Sequence, residues 1–234
     1  MSGTLFGIGV GPGDPELMTL KAHRLIASAR VVAYPAPEGG ESFARAIAAS
    51  AIAPGAVEIP MQVPMVPARF PAQDVYEEAS EQIAAHLTTG RDVVVLCEGD
   101  PFFYGSFMYL FARLAKGYAV EVVPGVSSLG ACAAALSRPL TARNDVLTVI
   151  PGPLPDAEIA ARVAAAEAVA IMKVGRHLGR LRRLIEEMGW LDQAGYVERA
   201  SLPDGRAVPL ADAPDEAPYF SMILIYKGAD PWLT

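Results

Sequence analysis

The chain has 234 residues, a formal net charge of -7, 52% hydrophobic residues and a mean hydropathy of +0.30. This length fits one large domain or two small ones with a substantial core, and the acidic balance argues against a dedicated nucleic-acid binder, which normally displays a basic face. No apolar run approaches the ~20 residues that span a bilayer, and no basic flank with a signal-type segment opens the chain, so a cytoplasmic protein without membrane contact is expected. Cys97 and Cys132 lie in apolar surroundings and suggest neither a disulfide nor a metal site.

Thr4 to Val10 reads as a first strand, followed by the turn Gly9-Val10-Gly11-Pro12-Gly13-Asp14-Pro15. Its glycines permit close approach to a ligand or a neighbouring strand. The spacing is neither a dinucleotide fingerprint nor a phosphate loop. Asp14 and Pro15 open a helix whose apolar face is Met18, Ala22, Leu25, Ile26 and Ala29. Arg30 to Tyr34 is a second strand, and Ser42 to Ala51 is helical. Val57 to Pro71 holds Pro60, Pro64, Pro67 and Pro71, with Pro54 just upstream, and so cannot be regular helix. A rim or lid over a cleft and a loop packed on the surface both fit it. Ala72 to Thr89 is an amphipathic helix that Gly90 ends.

Val93 to Cys97 is an unbroken apolar run, suited to a strand buried on both faces. It stops at Glu98-Gly99-Asp100-Pro101, and helical spacing begins with Phe103, Phe107, Leu110, Phe111 and Leu114. Strand, tight turn and helix is the geometry that places ligands at the carboxyl end of an α/β sheet. An ordinary loop, with Asp100 capping the helix and Pro101 at its first position, fits the same residues. Ala119 to Val123 and Pro124-Gly125-Val126-Ser127-Ser128 repeat the theme, and one of the two serines fits a simple helix cap.

The βαβα order through Val123 implies a mostly parallel sheet. Beyond it, Val146 to Ile150, Ala168 to Val174, Gly195 to Ala200 and Tyr219 to Tyr226 read as strands, with helices around Asp156 to Ala166 and His177 to Met188. The last two strands follow without a helix between them, so an antiparallel portion is expected. The fold class is α/β, with domains 1–123 and 124–234 and the cleft between them as the expected ligand site.

GVGPGDPELMTLKA (9–22), CEGDPFFYGS (97–106), EVVPGVSS (121–128), IMKVGRH (171–177) and ERASLPDGR (198–206) follow in an order that resembles the tetrapyrrole methylase family, over nearly the whole chain. The IMKVGRH, ERASLP and proline-rich 61–71 segments look like its branch that methylates C20 of precorrin-2. The resemblance implies a class III methyltransferase with two α/β domains, S-adenosylmethionine as methyl donor, a tetrapyrrole substrate and a homodimer. It maps donor contacts to Gly99, Asp100, Pro101, Phe103, Tyr104, Gly105, Ser127, Ser128 and Met172, with Ala200, Leu202 and Met222 as further neighbours. Pro12, Gly13 and Asp14 match the loop beside the substrate cavity.

The residues agree chemically. Asp100 or Glu98 could balance the donor's cationic groups, and Met172 and Met222 suit an adenine face, although ordinary core packing fits either of them, and Met222 more so. A substrate with several carboxylates calls for arginines. Arg176, just after a strand, is the foremost candidate, with Arg45, Arg69 and Arg143 behind it; the arginines at 180–183 read as a solvated helix face. In-line displacement at the sulfonium onto a meso carbon depends mainly on positioning. A base must then remove the meso proton, and Tyr104, Asp14 and Tyr34 are candidates. The rival readings are a sister enzyme using another ring carbon or a cobalt-loaded substrate, a protein or RNA methyltransferase, and a non-enzymatic binding module.

Overall fold

The computed structural model describes residues 2–63 and 70–228, which form two compact units that divide between Ser127 and Ser128. Unit 1 holds β1 (Thr4–Gly9), α1 (Leu20–Ser28), β2 (Val31–Pro37), α2 (Phe43–Ala48), β3 (Val57–Val63), α3 (Phe70–Thr88), β4 (Val93–Cys97), α4 (Phe107–Leu114) and β5 (Ala119–Val123). Its sheet runs β3-β2-β4-β1-β5, with every pairing parallel. All five residues of β4 are buried. Val93, Val95 and Cys97 face α3 and α4, packing with Ile83, Leu87, Phe107 and Leu110. Val94 and Leu96 face α1 and α2, packing with Ala22, Ile26, Ala44 and Ile47. Fully burying an aliphatic side chain of this size stabilises by about 1.5–3 kcal/mol, so β4 anchors both layers.

Three expectations are corrected here. Val57 to Val63 is a strand and not part of an irregular loop. It lies at the sheet edge, the position where Pro60 is tolerated because no neighbour needs its missing N–H. Pro64 to Arg69, including the candidate Arg69, lies outside the described residues. Asp14 opens only a 3-10 turn, Pro15–Leu17; α1 begins at Leu20, where the Thr19 hydroxyl accepts the Ala22 N–H at 3.1 Å. The aromatic helix α4 starts at Phe107 and not at Phe103, because Tyr104 has φ 56° and breaks the helical path.

Unit 2 holds α5 (Ser128–Ala135), β6 (Leu147–Pro151), α6 (Asp156–Ala165), β7 (Ala168–Met172), α7 (Leu178–Glu187), β8 (Ala194–Glu198), β9 (Arg206–Pro209) and β10 (Ser221–Tyr226). Its sheet order is β6-β7-β10-β8-β9. Only β6 and β7 pair in parallel; β10 runs antiparallel to both β7 and β8, as the helix-free connection implied. Strand β9 is an addition, antiparallel to β8. One face packs Ile150, Ile171, Tyr196 and Ile223 against Ile159 and Val163 of α6 and Leu181 and Ile185 of α7.

The division falls four residues beyond the expected boundary at 123/124. Residues 124–127 belong to unit 1 because the Gly125 N–H donates to the Asp100 carboxylate, tying that turn to the end of β4.

Candidate active site

Strands β1, β4 and β5 are neighbours in the sheet, so their carboxyl ends and the turns that follow converge. Gly11 and Gly99 form an antiparallel bridge, with Gly99 N–H to Gly11 O at 2.8 Å and Gly11 N–H to Gly99 O at 3.3 Å. The third turn presses on the same point. A Cβ at Gly125 would lie 1.9 Å from Gly99 O, and one at Gly9 would lie 2.5 Å from that same oxygen. Three backbones therefore meet where no side chain fits. Gly99 itself has φ 62°, and a Cβ built on it would meet only Val126 O, at 3.9 Å. Open space beside a half-buried glycine backbone is what a ligand approaching the turn requires.

Asp100 holds this junction together. Its Oδ1 accepts the N–H groups of Phe102 at 2.9 Å and Phe103 at 3.1 Å, and its Oδ2 accepts the Gly125 N–H at 3.1 Å. It caps a turn and not a helix. Pro101 is buried beneath, Phe103 and Gly105 are half-buried, and Tyr104 is exposed, its ring 5.2 Å edge-on from that of Phe103. A Cβ at Gly105 would collide with Pro101 O at 2.5 Å. Tyr104 adopts a left-handed conformation that ordinarily costs about 1–2 kcal/mol.

Glu98 takes the other side of β4. In the alternation of the strand it follows Val94 and Leu96, toward α1 and α2. Burial pushes its carboxyl above the usual value, while hydrogen bonds from its own N–H and that of Ala44, in the first turn of α2, pull the other way. Tyr76 and Cys97 both feel its charge, and burial first, then Glu98, raises the Cys97 thiol well above its ordinary value.

Tyr34 is buried in β2 and donates its hydroxyl to Glu58 Oε2 at 2.7 Å. Arg45 on α2 binds the same carboxylate through two nitrogens, at 2.6 and 2.9 Å. Burial, then Glu58, raises the Tyr34 phenol. A phenol that is raised and already donating holds its proton at neutral pH, which argues against Tyr34 as a base. Arg45 is likewise engaged by Glu58. Nothing in the sequence pattern singled out Glu58; only the parallel register of β2 with β3 brings it to Tyr34. Asp14 accepts the Glu16 N–H at 2.9 Å, so its role as a cap is realised; Pro12 and Gly13 sit in the turn before it, partly exposed and buried respectively.

In unit 2, Met172 and Met222 are direct partners across β7 and β10. Met172 is half-exposed, whereas Met222 is 3% exposed and fits core packing. Ala200 is buried between Arg199 (φ 48°) and Ser201 (φ 68°), and Leu202 is half-buried, its N–H donating to Arg199 O at 3.0 Å. Lys173, directly after Met172, has φ 57°, and the Gly175 N–H donates to Ser221 Oγ at 3.2 Å. Of the six non-glycine residues with positive φ among the described residues, Tyr104, Lys173, Arg199 and Ser201 all fall within the motif segments; Ser137 and Arg143 are the others. Backbone strain concentrates at functional turns.

The arginines of α7 are not simply solvated. Arg180 donates to Leu154 O at 3.2 Å and also engages Gly152 O and Asp156; Arg182 donates to Ala213 O at 2.9 Å. Arg176 is exposed and has no hydrogen bond or ion pair with any described residue. Arg143 is exposed on the segment before β6. Ser127 and Ser128 stand on either side of the division, Ser128 as the first residue of α5.

The family described as Tetrapyrrole (Corrin/Porphyrin) Methylases matches residues 4–214. The chain is 44% identical, over 95% of its length and 95% of the relative's, to a precorrin-2 C(20)-methyltransferase of Sinorhizobium sp. It is 30% identical to the cobalt-precorrin-2 C(20)-methyltransferase of Salmonella typhimurium, over 97% and 98% of the two chains. Among solved structures it resembles the uroporphyrin-III C-methyl transferase of Thermus thermophilus in complex with S-adenosylhomocysteine, with a TM-score of 0.69 and 27% identity over 96% of this chain and 98% of that one. The glycine junction at the ends of β1, β4 and β5 is thus set in a chain that belongs to the tetrapyrrole methylase family.

Proposed function

We propose that the protein transfers a methyl group from S-adenosylmethionine to C20 of precorrin-2, giving precorrin-3A in cobalamin biosynthesis, and that it works as a cytoplasmic homodimer. The observation that carries this reading is the 44% identity, end to end, with a precorrin-2 C(20)-methyltransferase. The residues suit the donor. Its amino-acid portion would lie on Gly99, Asp100, Pro101 and the turn through Phe103, Tyr104 and Gly105, with Ser127 and Ser128 as hydroxyl contacts. Its adenosine would lie against Met172, with Ala200 and Leu202 as neighbours; Met222 would support Met172 from across the strand pair.

S-adenosylmethionine supplies an electrophilic methyl group on a sulfonium. This chain's residues orient it: the junction fixes the backbone that faces the donor, and the strained Tyr104 presents an exposed ring beside it. Pro12, Gly13 and Asp14 would border the macrocycle, and Arg176 would meet one of its carboxylates. Orientation of two bound reactants is worth several kcal/mol of the barrier to methyl transfer onto a nucleophilic ring carbon.

The 30% match to a cobalt-precorrin-2 enzyme favours one second reading, in which the substrate carries cobalt. Incubating purified protein with methyl-labelled S-adenosylmethionine and either substrate form tests both. Preferential labelling of metal-free precorrin-2 supports the first reading; labelling of only the cobalt form replaces it with the second.

A further inference from the structure

We propose that Ser221 is a positioning residue for the tetrapyrrole: it fixes the turn that carries Arg176, and so sets where that guanidinium meets a substrate carboxylate. This rests on the reading above, in which Arg176 is the cationic contact of the substrate.

Arg176 stands on a turn whose backbone needs holding. Within three residues the chain enters the left-handed region twice, at Lys173 (φ 57°) and Gly175 (φ 38°). Such conformations persist where the surroundings over-determine them. Val174 and Leu178, on either side, are buried in the core of unit 2, and the His177 N–H donates to Val174 O at 2.8 Å. Between these anchors Arg176 is exposed, without a hydrogen bond or ion pair to any described residue. The residue just before it is fixed from another strand. The Gly175 N–H donates to Ser221 Oγ at 3.2 Å.

The Ser221 hydroxyl suits this task. It is buried at the start of β10, and its own proton goes to Pro218 O at 2.7 Å. With that proton committed, the oxygen meets Gly175 as an acceptor, and a backbone N–H can only donate. Glu198, opposite Ser221 on β8, has donors of its own in Tyr196 at 2.6 Å and Arg206 at 3.7 Å. The other two buried polar side chains among the described residues act locally. Ser42 caps α2 by accepting the Arg45 N–H, and Ser80 donates to Tyr76 O one turn back in α3. Only Ser221 joins segments remote along the chain. A turn already tied to the sheet loses less entropy when Arg176 is ordered on a carboxylate.

The first test is Ser221→Ala, which removes the hydroxyl without adding bulk. KM for the tetrapyrrole should rise by about three- to tenfold. The kcat and the calorimetric affinity for the donor should stay within about twofold, because Met172 is held by its ladder with Met222 and not by this hydroxyl. In an Arg176→Ala background, Ser221→Ala should add less than about twofold to KM, since nothing remains for it to position. Ser221→Thr and Ser221→Val form a second pair, alike in shape and different in the hydroxyl. Their KM values should differ by the same factor of about three to ten, with the threonine variant lower. An unchanged KM for Ser221→Ala, equal KM values for the threonine and valine variants, full additivity with Arg176→Ala, or a parallel loss of donor affinity overturns the proposal. An unchanged KM for Arg176→Ala alone would overturn the role of Arg176, and this proposal with it. Failure of the wild-type protein to methylate either substrate form would instead overturn the proposed function itself.

Discussion

Asp100 illustrates how one side chain can tie two turns together. Three backbone N–H groups converge on its carboxylate and join the turn after β4 to the turn after β5. Asp100→Ala leaves those donors without their partner, a loss of about 1–3 kcal/mol for each that stays buried. Calorimetry should therefore show weaker binding of S-adenosylmethionine and of S-adenosylhomocysteine by similar factors, since the loss is one of shape. A loss confined to the cationic donor would show instead that Asp100 faces the sulfonium directly. Glu58 gives a second prediction at this scale. The Arg45 hydrogen bonds hold its carboxyl below the ordinary value of 4.5. A folded-state value below the unfolded one stabilises above pH 4.5, and that stability is lost as pH falls through the folded value. Both side chains are partly exposed, so the term is modest, about 1 kcal/mol. Thermal midpoints should fall more steeply for wild type than for Glu58→Gln between pH 5 and roughly 3.

At the level of elements, the glycines of the junction do different jobs. Gly125→Ala would drive a methyl group to 1.9 Å from Gly99 O and force two turns apart, whereas Gly99→Ala meets open space and suffers only the left-handed backbone. The second change costs about 1–2 kcal/mol. Gly125→Ala should accordingly lower the thermal midpoint more, and abolish donor binding that Gly99→Ala merely weakens; the reverse order would refute the crowding argument. The same contrast explains what could be read from sequence. Strand β4 was legible because Val93 to Cys97 is apolar without interruption, which both packed layers demand. Strand β3 was not, because Pro60 marks a break everywhere except at a sheet edge, and edge position is a property of the sheet and not of the segment. The start of α4 was misplaced because Phe103 continues the helical spacing while Tyr104, with φ 56°, leaves the helix. The glycine turns stood out as motifs, but their meeting point did not, since it depends on β1 lying between β4 and β5.

Across the whole molecule, a net charge of -7 has to be reconciled with a substrate bearing several carboxylates. Local arginines are the proposed answer: Arg45 is bound to Glu58, Arg180 and Arg182 brace loops of unit 2, Arg143 is exposed, and Arg176 is exposed and unpaired with any described residue. Which arginines are committed was not legible in sequence, because their partners, Leu154 O and Ala213 O, are backbone atoms remote along the chain. A hydrogen bond to a charged group contributes about 1.5–3 kcal/mol. Arg176→Ala should raise KM for the tetrapyrrole by roughly ten- to a hundredfold on that basis, with kcat changed far less. A drop in kcat alone would place Arg176 outside substrate binding. The central claim, methylation of one meso carbon, is tested most directly by mass and NMR analysis of the product formed from carbon-13-methyl-labelled S-adenosylmethionine and metal-free precorrin-2. The account predicts a single added methyl group, with the label bonded to C20. A label on any other ring carbon, or on no carbon of the macrocycle, would contradict it.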